Sequence, residues 1–224
     1  MSSPLAPNYP IQISHKNSLY PARLRDLYDP PSSLYICGNI SLLKMPMIAI
    51  VGSRNASPEG IKNARLFAKA LSKAGALIIS GLARGIDSAA HIAAIELGSN
   101  HFTAAILGTG IDIVYPKENF GLSQAISRQG LLISEFPLGA GPQKWHFPKR
   151  NRIIAALALG VVVIEAAEKS GSLITARLAA DLGRDVFALP GSIHGLNSAG
   201  CHRLIQQGAK LVTTPRDVLE ELHF

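Results

Sequence analysis

Acidic residues, aromatic rings and cysteines are all scarce in this chain, and each scarcity excludes something. Asp and Glu number 15 against 22 Lys and Arg in 224 residues, a formal net charge of +7 with the histidines neutral. Such a balance favours a polyanionic partner without naming one. Charged residues make up 17% and hydrophobic residues 47%, with a mean hydropathy of +0.22. That composition buries a core and excludes a disordered or collagen-like chain. Cys37 and Cys201 are the only cysteines and stand far apart with no CxxC. Neither a disulfide framework nor a zinc site is indicated, and a reducing, cytoplasmic setting is the expectation. The longest uncharged apolar run, Ile153 to Ile164, has 12 residues, where a membrane span needs about 18. It reads as interior, with no membrane partner. The opening MSSPLAPNYPIQISHK has no charged stretch followed by an apolar one, so no secretory signal is expected.

Proline is unevenly spread. Residues 1–46 hold seven of the fourteen, and proline both fixes φ and removes a backbone donor. This segment reads as an extended strap, laid on the main body by Leu24, Leu27, Leu34, Tyr35, Ile36 and Leu42. From Met47 the pattern changes to short apolar runs closed by Gly or Ser: MIAIVGS, ALIISG, TAAILG, GLLISE, GVVVIEA, DVFALPG and AKLVT. Between them lie stretches such as EGIKNARLFAKALSKAG, whose three-and-four apolar spacing marks amphipathic helices. Strand and helix alternation with fully apolar strands predicts a doubly wound α/β fold, with a mostly parallel sheet of about seven strands. In such sheets ligands bind beyond the carboxyl ends of the strands, where the strand order reverses.

Four small-residue loops are expected on that edge: Gly52-Ser53-Arg54-Asn55, Ser80-Gly81-Leu82-Ala83-Arg84-Gly85, Gly108-Thr109-Gly110 and Ser170-Gly171-Ser172. Exposed backbone N–H groups at a helix start, with an arginine alongside, suit a phosphate. Each loop alone is equally well a tight turn. The GSRNAS turn is not GxGxxG, and no acid ends the second strand, so a dinucleotide cofactor is disfavoured. GxxxxGK[ST] is absent, so ATP hydrolysis is unsupported.

The window Lys144-Trp145-His146-Phe147-Pro148-Lys149-Arg150-Asn151-Arg152 sets four cations and no acid around the only Trp and a Phe, just before an apolar helix expected from near Ile153. Cations interleaved with flat rings suit single-stranded nucleic acid, because phosphates need charge and unpaired bases need a face to stack on. The other reading makes Trp145 and Phe147 core anchors and the cations a solvated face. Asp87 and His91 lie four apart on one helix and could form an acid/base pair or half a metal site. A structural pair or a helix cap is the preferred reading, with no third ligand at suitable spacing. Glu135 and Glu165 end strands and are assigned to structure, with no nucleophile nearby in sequence.

The order GSR, SGLARGID, LGTGIDIVYP, SEFPLG, FPKRNRIIA, SGSLITA, VFALPG and GCHRLIQQGAKLV resembles the bacterial DNA-processing family DprA, also called Smf, over residues 20–222. The resemblance implies a Rossmann-like DNA-binding domain over 47–214, preceded by the extended segment of 1–46 and followed by a helical tail over 215–224. It implies a homodimer without catalytic turnover or cofactor. Such a protein binds and protects incoming single-stranded DNA during natural transformation and helps load the RecA recombinase. Single-strand-binding protein is a further candidate partner. The family's DNA-binding pocket falls on Gly52, Ser53, Arg54 and on Phe147 to Arg152. With the rim residues Lys144, Ser170, Gly171 and Ser172, the candidate DNA-binding set is Gly52, Ser53, Arg54, Lys144, Phe147, Lys149, Arg150, Asn151, Arg152, Ser170, Gly171 and Ser172.

Two positions depart from the family pattern. Ala156 stands where a glycine is expected, a neutral packing change. His202 stands where an Asn is typical and is expected to alter a loop contact. Members often carry an N-terminal helical domain and a C-terminal winged helix, and neither pattern occurs here. The alternative is a nucleotide-processing enzyme resembling the cytokinin-activating phosphoribohydrolases. Their PGGxGTxxE signature finds only SGSLITARLAA, without the Glu on the following helix.

Overall fold

The computed structural model describes residues 10–224. All seven apolar runs are strands: β3 (Met47–Gly52), β4 (Leu77–Ser80), β5 (Thr103–Ile106), β6 (Leu131–Ser134), β7 (Gly160–Ile164), β8 (Asp185–Ala188) and β9 (Lys210–Leu211). They are mutually parallel. The strap supplies two more, β1 (Ile11–Ser14) and β2 (Ser33–Gly38), which pair antiparallel with each other and, through β2, with β6. The result is a nine-stranded sheet in the order β1-β2-β6-β5-β4-β3-β7-β8-β9. β1 forms the edge of the sheet, and the prolines of the strap flank both strands without entering them, so no missing N–H removes a ladder bond.

Among the described residues seven α-helices cover the sheet: α1 (Pro58–Lys73), α2 (Ile86–Ile95), α3 (Phe120–Gln129), α4 (His146–Leu157), α5 (Gly171–Asp181), α6 (Ala199–Gln206) and α7 (Pro215–Glu221). Alternate strand residues face opposite layers. Met47, Ala49 and Val51 of β3 meet α4, α5 and the strap leucines Leu24, Leu34 and Leu42. Ile48 and Ile50 meet Phe67 and Leu71 of α1 and Ala90 and Ala94 of α2. Both faces are buried, which is why these strands read as unbroken apolar runs.

Helix α4 starts at His146, seven residues before the expected position near Ile153. Pro148 occupies the third helical position. There a backbone N–H would have no intrahelical acceptor, so the proline breaks nothing. The sheet order reverses between β3 and β7, whose Gly52 and Ile164 are register partners.

Candidate functional site

A groove of about 730 Å³ opens at that reversal, bounded by the β3–α1 loop, the start of α4 and the β7–α5 loop. Gly52 is required at its base, because a Cβ there would overlap the Ile164 carbonyl oxygen. Ser53 is buried and its hydroxyl accepts the Asn55 N–H at 3.2 Å, which turns the exposed Arg54 outward. Across the groove Ser170 caps α5, its hydroxyl accepting from the Ser172 N–H at 3.3 Å. The N-terminus of α5, with Gly171 exposed, therefore faces the groove with the positive end of its dipole, while the Ser172 and Leu173 N–H groups are already bonded to Ser170.

The basic window divides according to helical period. Phe147, Arg150, Asn151 and Ile154 share one face of α4 and line the groove. Lys149 and Arg152 share another and converge on the half-buried Glu135, whose side chain is 6% exposed, Arg152 Nη2 at 2.5 Å and Lys149 Nζ at 3.5 Å. Burial raises the Glu135 pKa against the pull of the two cations. Glu135 thus holds these two cations, in keeping with its assignment to structure, and Lys149 and Arg152 stand behind the groove. Trp145 is 59% exposed and lies edge-on to Phe136 at 6.1 Å, so it does not anchor the core. Phe147 is half-buried between the Tyr115 ring, 5.4 Å away, and the Arg54 guanidinium, 5.8 Å from its centroid.

Arg150 is almost entirely buried. Its Nη1 donates to the carbonyls of Gly81, at 2.5 Å, and Ile106, and its Nε donates to the Asn151 amide oxygen at 3.2 Å. Asn151 in turn donates to the Gly171 carbonyl at 3.3 Å, tying α4 to the start of α5. Burial, only partly offset by the nearby Asp87 carboxylate, lowers the Arg150 pKa to about 10. Asp87 is also buried and accepts the N–H groups of Gly81 and Ala83, so it caps its own loop. Desolvation raises its pKa. His91 turns to the Thr103 hydroxyl at 2.6 Å. The i,i+4 spacing therefore marks two separate structural contacts.

Three of the four small-residue loops border the groove. In the fourth, Thr109 donates to the Ile113 carbonyl and the Gly110 N–H to Ala140, which is turn chemistry. Glu165 follows β7 in a left-handed conformation, φ +54°, unusual for a residue with a Cβ. Its carboxylate accepts from the Ser57 N–H at 2.8 Å, the Ser57 hydroxyl and the Asn197 amide at 3.4 Å, bracing three rim loops. Lys169, Tyr115 and Asn197 also line the groove and were not singled out in the sequence. For Lys169 the signal was available, a cation directly before the SGS turn. His202 Nε2 lies 3.0 Å from the Gly191 carbonyl oxygen, so this departure does sit in a loop contact, and Ala156 is buried in the core. Among the described residues no three His, Cys, Asp or Glu side chains cluster to hold a metal, and no helix is long and apolar enough to cross a membrane.

Fold and groove together define a Rossmann-like α/β protein with a basic, aromatic-sided groove at the reversal point of its sheet. The chain belongs to the family described as DNA recombination-mediator protein A, which it matches over residues 12–223. It is 51% identical to DNA processing protein DprA of Streptococcus pneumoniae over 92% of this chain and 72% of that protein. Protein Smf of Escherichia coli is 45% identical over 97% of this chain and 58% of its own length. The solved structure of the pneumococcal protein superposes with a TM-score of 0.91 at 49% identity, covering 96% of this chain and 75% of that one. That of DNA processing protein A from Helicobacter pylori, described for its single-stranded DNA binding mode, gives 0.85 at 32% identity over 94% and 95%.

Proposed function

We propose that this chain binds single-stranded DNA along the groove and does no chemistry on it. The observation that carries the reading is the convergence of exposed Arg54, Lys144 and Lys169 on a half-buried Phe147 beside the N-terminus of α5. Phosphates need the cations and the helix end, whereas only unpaired bases can use the ring. In this reading Gly52, Ser53, Ser170, Gly171 and Ser172 present backbone and hydroxyl groups to phosphate, and Arg150 and Asn151 form the floor. Lys149 and Arg152 add positive potential from behind, their side chains being held by Glu135. The single-stranded DNA binding attributed to the Helicobacter pylori relative supports the same substrate. The family resemblance extends the proposal to a cytoplasmic homodimer that protects incoming DNA in natural transformation and passes it to RecA, with single-strand-binding protein as a further partner.

The test is fluorescence anisotropy with labelled oligo-dT and a matched duplex at two salt concentrations. Saturable binding that prefers the single strand and weakens as salt rises is expected, since counterions are released on binding. Equal affinity for the duplex would refute the stacking argument.

A further inference from the structure

Trp145, the largest ring of the basic window, does not line the groove. It stands directly before His146 at the start of α4 and, by helical period, falls with Lys149 and Arg152 on the face turned away from Phe147 and Arg150. It is 59% exposed, whereas tryptophan is on average a well-covered side chain. Its ring meets those of Phe136 and His146 at 75° and 79°, so neither lies flat against the indole. Phe136 and His146 are buried and stacked on each other at 3.9 Å, and so form a packed seat for it. The Lys149 ammonium stands 5.9 Å from the ring centres of both Trp145 and Phe136, and its side chain stays 39% exposed although Glu135 is 3.5 Å away. An exposed indole, seated on buried rings and edged by a cation, is the arrangement that holds an unpaired base together with its phosphate. Lys144, the residue before Trp145, is exposed and lines the groove, so the groove and this second surface adjoin at the start of α4. An apolar protein partner would meet a cation on either side of the ring, whereas a phosphate backbone is complementary to both.

We propose that Trp145 is a second base-stacking platform for the bound strand, on the far side of α4 from the groove, with Lys149 taking the adjoining phosphate. The proposal rests on the groove being a single-strand site. A helix is about 10–12 Å across with its side chains, so a strand rising about 3.4 Å per nucleotide passes from groove to platform in about three or four nucleotides. Lys149 exchanges its contact with Glu135 for the phosphate, while Arg152 stays on Glu135 and keeps that carboxylate paired. A base stacked on the indole has left its own stack and its pair, which costs a single strand far less than a duplex. Phosphate contacts alone carry no such preference.

Trp145 is the only tryptophan, so its emission reads the platform without a label or a substitution. Titration of the wild-type protein with oligo-dT should quench that emission with the midpoint found by anisotropy. An all-abasic strand of the same length, equal in charge, should leave it unquenched at saturation. Trp145→Ala should weaken oligo-dT binding about tenfold, the scale of one stacked base, and abasic-strand binding less than about twofold, whereas Trp145→Phe should keep most of the affinity. Circular dichroism verifies that each variant is folded. Emission unchanged at saturating oligo-dT, or quenched equally by the abasic strand, would overturn the platform and leave the groove standing. A folded Trp145→Ala that binds oligo-dT as the wild type does would overturn it too. Failure of the wild-type protein to bind oligo-dT at all would overturn the groove reading and the platform with it.

Discussion

Arg54 and Arg150 border one groove but act differently, because one is exposed and the other buried. Arg54→Ala and Lys169→Ala should each weaken oligo-dT binding about tenfold, the scale of one charge-assisted contact, with an unchanged thermal midpoint. Arg150→Ala should instead lower stability by about 2 kcal/mol in urea titrations, since the Gly81 and Ile106 carbonyls lose their donor. A variant of Arg150 that binds weakly but melts normally would contradict that division. His91 supplies a pH signature. Burial, and then the Arg150 charge, lowers its pKa from 6.5 to about 3. Between those values the unfolded chain takes up a proton that the fold refuses, so stability falls as pH drops, by up to about 1.4 kcal/mol per pH unit. Urea titrations from pH 7 to pH 4 should therefore show a shallower fall for His91→Gln than for wild type. Identical slopes would remove His91 as the cause. The carboxylates that titrate in the same range are common to both proteins and cancel in the comparison.

At the scale of elements, the β3–α1 turn and helix α4 decide where the cations point. Gly52→Ala would force β3 away from β7 at the register pair with Ile164, and should cost about 3 kcal/mol. It should also reduce oligo-dT binding beyond what the stability loss explains, because Ser53 and Arg54 move with the turn. Binding at wild-type strength in a destabilised but folded variant would show that the turn is only a strand ending. The sequence held the composition of α4's first turns, four cations with two rings, but not their division between two faces. That division needs the helix to begin at His146, so that Phe147, Arg150 and Asn151 fall on the groove side and Lys149 and Arg152 on the Glu135 side.

For the molecule as a whole, the described part of the strap, from residue 10 onward, contributes to the sheet, and residues 1–9 lie outside the described residues. β2 pairs with β6, and Tyr20, Leu24, Leu34, Ile36 and Leu42 are buried in the same cluster as Met47, Val51 and Ile153. A chain beginning at Met47 would expose the β6 edge and the apolar face beneath these side chains. It should lose cooperative unfolding by circular dichroism and elute as aggregates on size exclusion. A monodisperse, cooperatively melting product would show that the parallel strands are self-sufficient.

Seven strands and most helices were legible in the sequence because each is a short apolar run or a three-and-four period, local patterns that burial on two faces imposes. The residues Gly52, Arg54, Phe147 and Ser170 were legible as well, since a small-residue turn before a helix and a ring among cations are themselves local signals. Tertiary structure alone decided the rest. The prolines of residues 1–46 hid β1 and β2, whose place at the sheet edge depends on β6, nearly a hundred residues away. The pairing of Lys149 and Arg152 with Glu135, the burial of Arg150 and the contact of Tyr115 with Phe147 all join segments distant in the chain. A cation's role depends on which carboxylate or carbonyl it meets, and only packing settles that.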